Sequence, residues 1–298
     1  MRVLAPAKVN LFLRIVGRRS DGYHLLDSLM VPVSLYDEIL IQTEIETGSG
    51  EKKEKYGQAR ILVTCDDPTL PSDETNLAYK AAALLCKEAG VHTRVSIDLR
   101  KGIPAGAGLG GGSSDAAAVL KSVNLLLSLG FSETQLCTLA VRLGADVPFF
   151  IACRPARVTG IGEIIDPVSS LPSRWLVIVV PPFSVSTPWA YRRFDDLPAF
   201  EIPPESSGNF PDQDWSPTSL VNDLERAVLP AYPLIGQIKD QLLRLGAEGA
   251  LMSGSGSAVF GIFPTHTSAE QAAQILKEKG KTFIVEFLHE APQVVHGE

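Results

Sequence analysis

The sequence predicts a mixed α/β fold of the α+β type, built as two domains over residues 1–156 and 157–298. Three observations carry this expectation. The chain has 298 residues, roughly two domains' worth. Segments that alternate apolar and polar residues are interleaved with capped helical segments in both halves. Residues 104–114, PAGAGLGGGSS, place a glycine-rich turn between an alternating segment and an Ala/Leu-rich helix.

Residues 3–16 contain the first strands. Lys8 and Asn10 share a face there, because side chains two apart lie on one side of a strand. A solvated polar face fits the pattern, and so does a strand delivering a cation and an amide into a cleft. Asp21–Gly22 is a turn signal, with Tyr23 and His24 directly after it. Such a pair serves either as a half-buried loop anchor or as a platform that stacks on and hydrogen-bonds a flat base. Residues 44–60 are polar and charged and read as a solvent-exposed, mobile hairpin insertion without chemistry. Residues 61–67 form a strand. DETN over 73–76 caps a helix that ends at Gly90. Residues 95–100 alternate as a strand, and Lys101 stands just before the glycine turn. There it meets phosphates or ribose, or remains a surface lysine.

The turn itself holds Gly106, Gly108, Gly110, Gly111 and Gly112. Glycine lets backbone N–H groups face inward where a side chain would obstruct them. Ser113 or Ser114 is the expected N-cap of the helix that follows. Unpaired amides and the positive helix end then point to one spot, which is an anion site suited to a polyphosphate. Gly106, Gly108 and Gly111 also spell the dinucleotide fingerprint GxGxxG. That motif needs an acidic residue closing a second strand about 20 residues on, and this region is still helical. A Walker A loop needs Lys then Ser/Thr after the last glycine, and no lysine follows Gly112.

Residues 132–144 form a second capped helix. Asp146, before Val147–Pro148, reads as an N-cap with proline in the first turn. It also reads as a general base beside the phosphate site, and the two roles are compatible. Residues 156–168 and 174–182 give two more strands. A loop holding Thr187, Trp189 and Tyr191 follows, then a surface connection over 195–219. Residues 220–247 are helical, broken at Pro230. Residues 248–263 read as strand, glycine turn, strand. A helix over 268–280, a last strand over 281–288 and a loose tail over 291–298 close the chain.

Composition excludes some functions. The formal charge of −7 argues against a nucleic-acid or anionic-membrane surface, while leaving room for a local cationic pocket. Cys65, Cys86, Cys137 and Cys153 form no CxxC pair, and buried free thiols in a reducing cytoplasm fit them. Lys8, Asn10 and Arg14 interrupt the apolar start, so it is not a signal peptide. No segment approaches a membrane span, since the apolar run over 175–180 stops at Pro181–Pro182. The expected partner is a small molecule, with neither nucleic acid nor membrane. The oligomeric state stays open between monomer and homodimer.

Three motifs stand in order: APAKVNLFLRIVGRRSDGYHLL, PAGAGLGGGSSDAA and LMSGSGSAVF. Together they resemble the GHMP small-molecule kinases, and the likeness runs over nearly the whole chain. PAKVNLFL joined to GRRSDGYH, with LGADVPFF, VTGIGE and VNDLE, resembles the branch that phosphorylates a cytidine-diphosphate-linked methylerythritol on the route to isoprenoid precursors. The resemblance implies a ribosomal-protein-S5-like N-terminal domain, a ferredoxin-like C-terminal domain and a site in the cleft between them. It implies ATP and Mg²⁺. Lys8 and Asp146 match the catalytic pair. Pro104, Ala105, Gly106, Ala107, Gly108, Leu109, Gly110, Gly111, Gly112, Ser113 and Ser114 match the ATP loop. Asn76, Leu77 and Lys101 fall where the family contacts the nucleotide, and Ser114 is the expected metal ligand. Tyr23 and His24 match a cytosine-recognition pair, Tyr191 a second stacking aromatic, and Asn10 and Thr187 face the substrate. The family often carries GGTA where this chain has CRPA at Cys153–Ala156, and Thr159 replaces an acidic residue. A GHMP kinase acting on homoserine, mevalonate or a sugar is the nearer rival. An S5-like RNA-binding module is the farther one, disfavoured by the acidic charge and by the presence of both Lys8 and Asp146.

Overall fold

The computed structural model describes residues 1–45, 59–168, 171–198 and 216–292. Most of the expected insertion, much of the connection over 195–219 and most of the tail lie outside these residues.

Strand β1 (Arg2–Arg18) runs antiparallel to β2 (His24–Ile45) around the Asp21–Gly22 turn. The pair is irregular between Pro6 and Ala7 and between Asn10 and Phe12. A bulge changes which face a strand's alternate residues present. Val3 and Ala5 accordingly join the core beneath the helices, while Ala7, Val9 and Leu11 join a different core on the other face. Lys8 and Asn10 are thereby turned to the side from which Ala7 and Val9 have left, and both are buried.

The chain continues through β3 (Arg60–Cys65), α1 (Leu77–Ala89), β4 (Thr93–Arg100) and α2 (Gly111–Leu126). Helix α1 starts where Asn76 accepts from Ala78 N, and it stops at Gly90 in the left-handed region. Helix α3 (Glu133–Val141) carries a capping box between Ser132 and Gln135. Helix α4 (Val147–Ala152) begins at Asp146 with proline in its first turn. Residues 156–168 form a hairpin of two strands, β5 (Ala156–Gly160) and β6 (Ile164–Pro167), where the sequence suggested one. The first sheet has the order β3-β4-β2-β1, with β5 added to β2, β6 to β5, and β8 (Val221–Asn222) completing it beside β1. The 156/157 position falls at the start of β5, within this sheet.

Three further strands and four helices follow β7 (Trp175–Val180): α5 (Thr187–Asp195), β8 (Val221–Asn222), α6 (Glu225–Val228), α7 (Pro233–Arg244), β9 (Gly249–Met252), β10 (Val259–Phe263) and α8 (His266–Leu276). The last strand is β11 (Lys281–Glu286). Helix α5 corrects the expected loop at Thr187–Tyr191; Pro188 in its first turn presets the helical φ. Strand β8 corrects the helix expected from residue 220, because Val221 and Asn222 pair in parallel with Phe12 and Leu13 of β1.

The second sheet has the order β11-β7-β10-β9. Its alternation decides the layering. Leu176, Ile178 and Val180 face the first sheet with Phe260 and Ile262. Val177 and Val179 face the other way and pack with Ile235, Ile238 and Leu242 of α7 and Leu276 of α8. One buried side chain joins the second sheet to β1. Asn222 Nδ2 donates to Met252 O and Gly254 O at 2.8 Å each, and its Oδ1 accepts from Leu224 N at 3.0 Å. Asn222→Ala leaves those buried groups unpaired, a cost of about 2 kcal/mol. Thermal denaturation should register a fall of roughly 4–8 °C; an unchanged melting temperature would contradict the role given to this residue.

Candidate active site

The glycine loop over 102–112 closes one wall of a cleft of about 900 Å³. Its shape follows from two glycines. Gly110 has φ +75° and is itself the N-cap of α2, with no side chain capping the helix. A Cβ there would lie 2.8 Å from the Phe150 ring and 3.1 Å from Lys8 Cγ. Gly108 has φ +78°, and a Cβ on it would lie 2.2 Å from Ser253 O. The helix therefore begins at Gly111, three or four positions earlier than a cap at Ser113 or Ser114 requires. Its first-turn amides have no side-chain partner and open on the cleft, the arrangement that binds anions.

The early start also separates the two serines. Ser113 lines the cleft. Ser114 is rotated about 100° further round the helix. It lies buried beside a small hollow with Ala5, Pro6 and Phe150, and its Oγ has no hydrogen-bond partner. The expected metal-ligand role of Ser114 does not fit this position. Every other candidate residue lines the single cleft.

Lys8 is held from three sides. Its backbone N donates to Leu109 O at 2.9 Å, fixing β1 against the loop. Its Nζ donates to Asn10 Oδ1 at 2.5 Å and lies 3.6 Å from Asp146 Oδ2. Asn10 Nδ2 donates to Ser28 Oγ at 2.8 Å, and Ser28 Oγ donates to Phe12 O at 2.6 Å. A buried relay thus locks the rotamer of Asn10 and, through it, of Lys8. The Lys8 side chain is 4% exposed and that of Asp146 is 38% exposed. Asp146 occupies the N-cap position of α4 without making a cap hydrogen bond. Its carboxylate is turned to Lys8 and the cleft instead.

The far end of the cleft is aromatic. His24 and Tyr191 stack at 4.8 Å between centroids with 26° between planes. Tyr23 is 62% exposed at the mouth. His24 Nε2 is 2.7 Å from Asp195 Oδ1, and Arg18 pairs with Asp195 Oδ2 at 3.2 Å. Burial, with the Asp146 charge adding to it, pushes the Tyr191 phenol well above its usual range, so its hydroxyl keeps its proton. Thr187 Oγ1 lies 2.7 Å from Ser255 Oγ.

Lys101 lines the cleft but spends its ammonium below the loop. Its Nζ pairs with Asp37 and lies 2.5 Å from Asp115 Oδ2. Burial opposes the charge on Lys101, yet Asp115 and Asp37 outweigh it and hold its pKa high. Burial pushes the Asp115 carboxyl up to about 7, with Lys101 pulling against that rise and Asp37 adding to it. Lys101 is thus not an exposed surface lysine: it lines the cleft and pairs with two carboxylates.

Sequence profiles place the chain. The GHMP kinases N terminal domain matches residues 76–154, and the GHMP kinases C terminal domain matches 214–282. The 4-diphosphocytidyl-2-C-methyl-D-erythritol kinase of Syntrophotalea carbinolica is 46% identical over 291 residues, covering 95% of this chain and 97% of that protein. The chain belongs to this GHMP kinase family. A crystal structure of 4-(cytidine 5'-diphospho)-2C-methyl-D-erythritol kinase superposes with a TM-score of 0.77 at 35% identity, covering 96% of this chain and 99% of that one. Homoserine kinase from Cytophaga hutchinsonii, at 20% identity and a TM-score of 0.72, shares the fold.

Sequence reasoning missed several groups of this GHMP kinase. Asp195 and Arg18 brace His24, and nothing local marks them. The Ser253–Ser257 turn carried a family motif but no role. It docks on the phosphate loop: Ser253 Oγ donates to Gly108 O at 3.0 Å, and Ala258 N to Ala107 O at 3.0 Å. Gly108→Ala would drive a Cβ into Ser253 O from a strained backbone and push the two loops apart. Nucleotide affinity, measured by titration calorimetry with ATP, should fall about tenfold or more, since such strain is worth roughly 1–3 kcal/mol. An unchanged affinity would mean that the contact between the loops does not shape the cradle.

Proposed function

We propose that this chain transfers the γ-phosphoryl group of ATP to a hydroxyl of 4-diphosphocytidyl-2-C-methyl-D-erythritol, giving the 2-phosphate and ADP. The observation that carries this reading is the buried Lys8, 3.6 Å from Asp146, beside an uncapped helix end that opens on the same cleft. The relatives named for that reaction match nearly the whole chain.

Phosphoryl transfer asks a protein chiefly for alignment and charge neutralisation. The amides of residues 106–113 hold the β- and γ-phosphates. Asp146 accepts the proton of the attacking hydroxyl as the new O–P bond forms and the β–γ bridge breaks. The Lys8 ammonium stabilises the negative charge that develops on the transferring group or on the nucleophile. Asn10 fixes Lys8 and faces the acceptor. Asn76 and Leu77, at the start of α1, line the nucleotide end with Pro104 and Ala105.

Mg²⁺ takes few protein ligands and keeps several phosphate and water oxygens. The donor set fits that habit. Ser113 lines the cleft, and no group of three or more His, Cys, Asp or Glu side chains is gathered for a metal among the described residues. Ser113 is the residue that would hold it, leaving Asp146 free as the base, and the ion would supply charge neutralisation for the phosphates.

At the other end, Tyr23 and Tyr191 flank the cytosine, and His24 reads its edge. Thr187 contacts the acceptor. The stack of His24 on Tyr191 and the exposure of Tyr23 at the mouth support an aromatic subsite. A base whose edge leaves buried polar groups unpaired is rejected there.

A coupled assay of ADP release, run with the cytidylated alcohol and with homoserine, mevalonate and galactose, tests the reading. Turnover is expected with the cytidylated alcohol alone, and turnover confined to another alcohol would overturn the assignment. Asp146→Asn should lower kcat by about 100-fold or more, the scale of lost general-base catalysis, with the melting temperature held. Full activity with a lowered melting temperature would reduce Asp146 to a structural cap.

A further inference from the structure

Against the phosphate loop, at the wall of the cleft, lies a cluster of three charges with no part in the proton transfer. Asp37 on β2 is fully buried. Its Oδ1 accepts from Gly102 N and Ile103 N at 2.8 Å each, and its Oδ2 faces Lys101 Nζ. Lys101 Nζ donates in turn to Asp115 Oδ2 at 2.5 Å. A Cβ added at Gly111 would lie 3.3 Å from Asp37 Oδ2, so the cluster sits directly under the loop.

The connectivity matters more than the charges. Lys101 stands at the end of the strand that leads into the loop, and Asp115 stands in the helix that leaves it. Their ion pair spans 14 positions, and all six glycines from Gly102 to Gly112 lie between them. Glycines enlarge the conformational freedom that binding must remove. A clasp between the two ends of the segment removes part of it before the ligand arrives. Stability alone does not explain such a clasp. Burying two carboxylates against one ammonium is a poor stabiliser compared with apolar packing, and Asp115 Oδ1 is buried without a hydrogen-bond partner.

We propose that Asp37, Lys101 and Asp115 are positioning residues for the nucleotide: they clasp the two ends of the phosphate loop and set the cradle before ATP binds. The inference rests on the nucleotide-binding reading above. Asp37 anchors the clasp to the sheet through its two backbone hydrogen bonds, Lys101 is the bridge, and Asp115 is the link that carries it to α2. The acceptor end of the cleft has no part in it.

The test compares Asp115→Ala, which cuts the clasp, with Asp115→Asn, whose amide oxygen still accepts from Lys101. Steady-state KM is measured for ATP and for the cytidylated alcohol, with ATP affinity by calorimetry and melting temperature alongside. Asp115→Ala should raise KM and Kd for ATP about tenfold, a 1.4 kcal/mol effect, and leave the acceptor KM within about twofold. Asp115→Asn should restore ATP binding to near the parent value. The proposal is overturned if Asp115→Ala lowers the melting temperature but leaves ATP affinity unchanged, if both KM values rise together, or if the asparagine variant behaves like the alanine one. Should the alanine variant not fold, Asp115→Ser, too short to reach Lys101, is held to the same readings. Failure of the parent protein to bind ATP would instead overturn the nucleotide-binding reading on which the inference stands.

Discussion

The hydrogen bond from Lys8 N to Leu109 O, 2.9 Å long, sets β1 against the phosphate loop. Much of the cleft depends on that registration. It brings the Lys8 side chain up against Gly110, where a Cβ would lie 3.1 Å from its Cγ. From there the ammonium reaches Asn10 on its own strand and Asp146 on α4. A long cation in a buried place has rotamer freedom to lose and hydration to give up. The relay through Asn10, Ser28 and Phe12 O offsets both costs by giving the head group one well-defined direction.

The second half of the chain completes the first. Asp223, just after β8, accepts from Ile15 N at 2.9 Å and from Arg14 at 3.0 Å, so it grips the far end of β1. Asn222 holds the Ser253–Ser257 turn, and that turn lies against the phosphate loop. Helix α5 brings Thr187, Tyr191 and Asp195 to the same cleft. Few of these contacts are local in sequence, and those of Asp223, Ser253 and Asp195 link the second half directly to β1, the glycine loop and His24.

Much of the architecture was legible because it is local. Alternation in residues 95–100, the apolar run over 175–180, the Asn76 and Ser132 caps and the left-handed Gly90 each announce themselves within a few positions. The common face of Lys8 and Asn10 follows from strand period alone. What the sequence hid is non-local or turns on one residue. A cap at Gly110 in place of a serine moved the start of α2 and sent Ser114 behind the helix while Ser113 stayed in the cleft. The strand at Val221–Asn222 exists only because β1 pairs with it. The helix at Thr187–Asp195 looked like a loop because proline and polar residues dominate its start. Lys101 carried no sign of its two carboxylate partners, one of which lies 64 positions away.

The central claim is that Lys8 and Asp146 act as one unit on the transferring group. A double-mutant cycle in single-turnover phosphoryl transfer tests it most directly, with Lys8→Met, Asp146→Asn and both together, at saturating ATP and cytidylated alcohol. Groups acting as a unit are non-additive. The double variant should therefore lose little more than the worse single variant, with each single loss about 100-fold or greater. Losses that multiply in the double variant would show two independent residues, and would contradict the account.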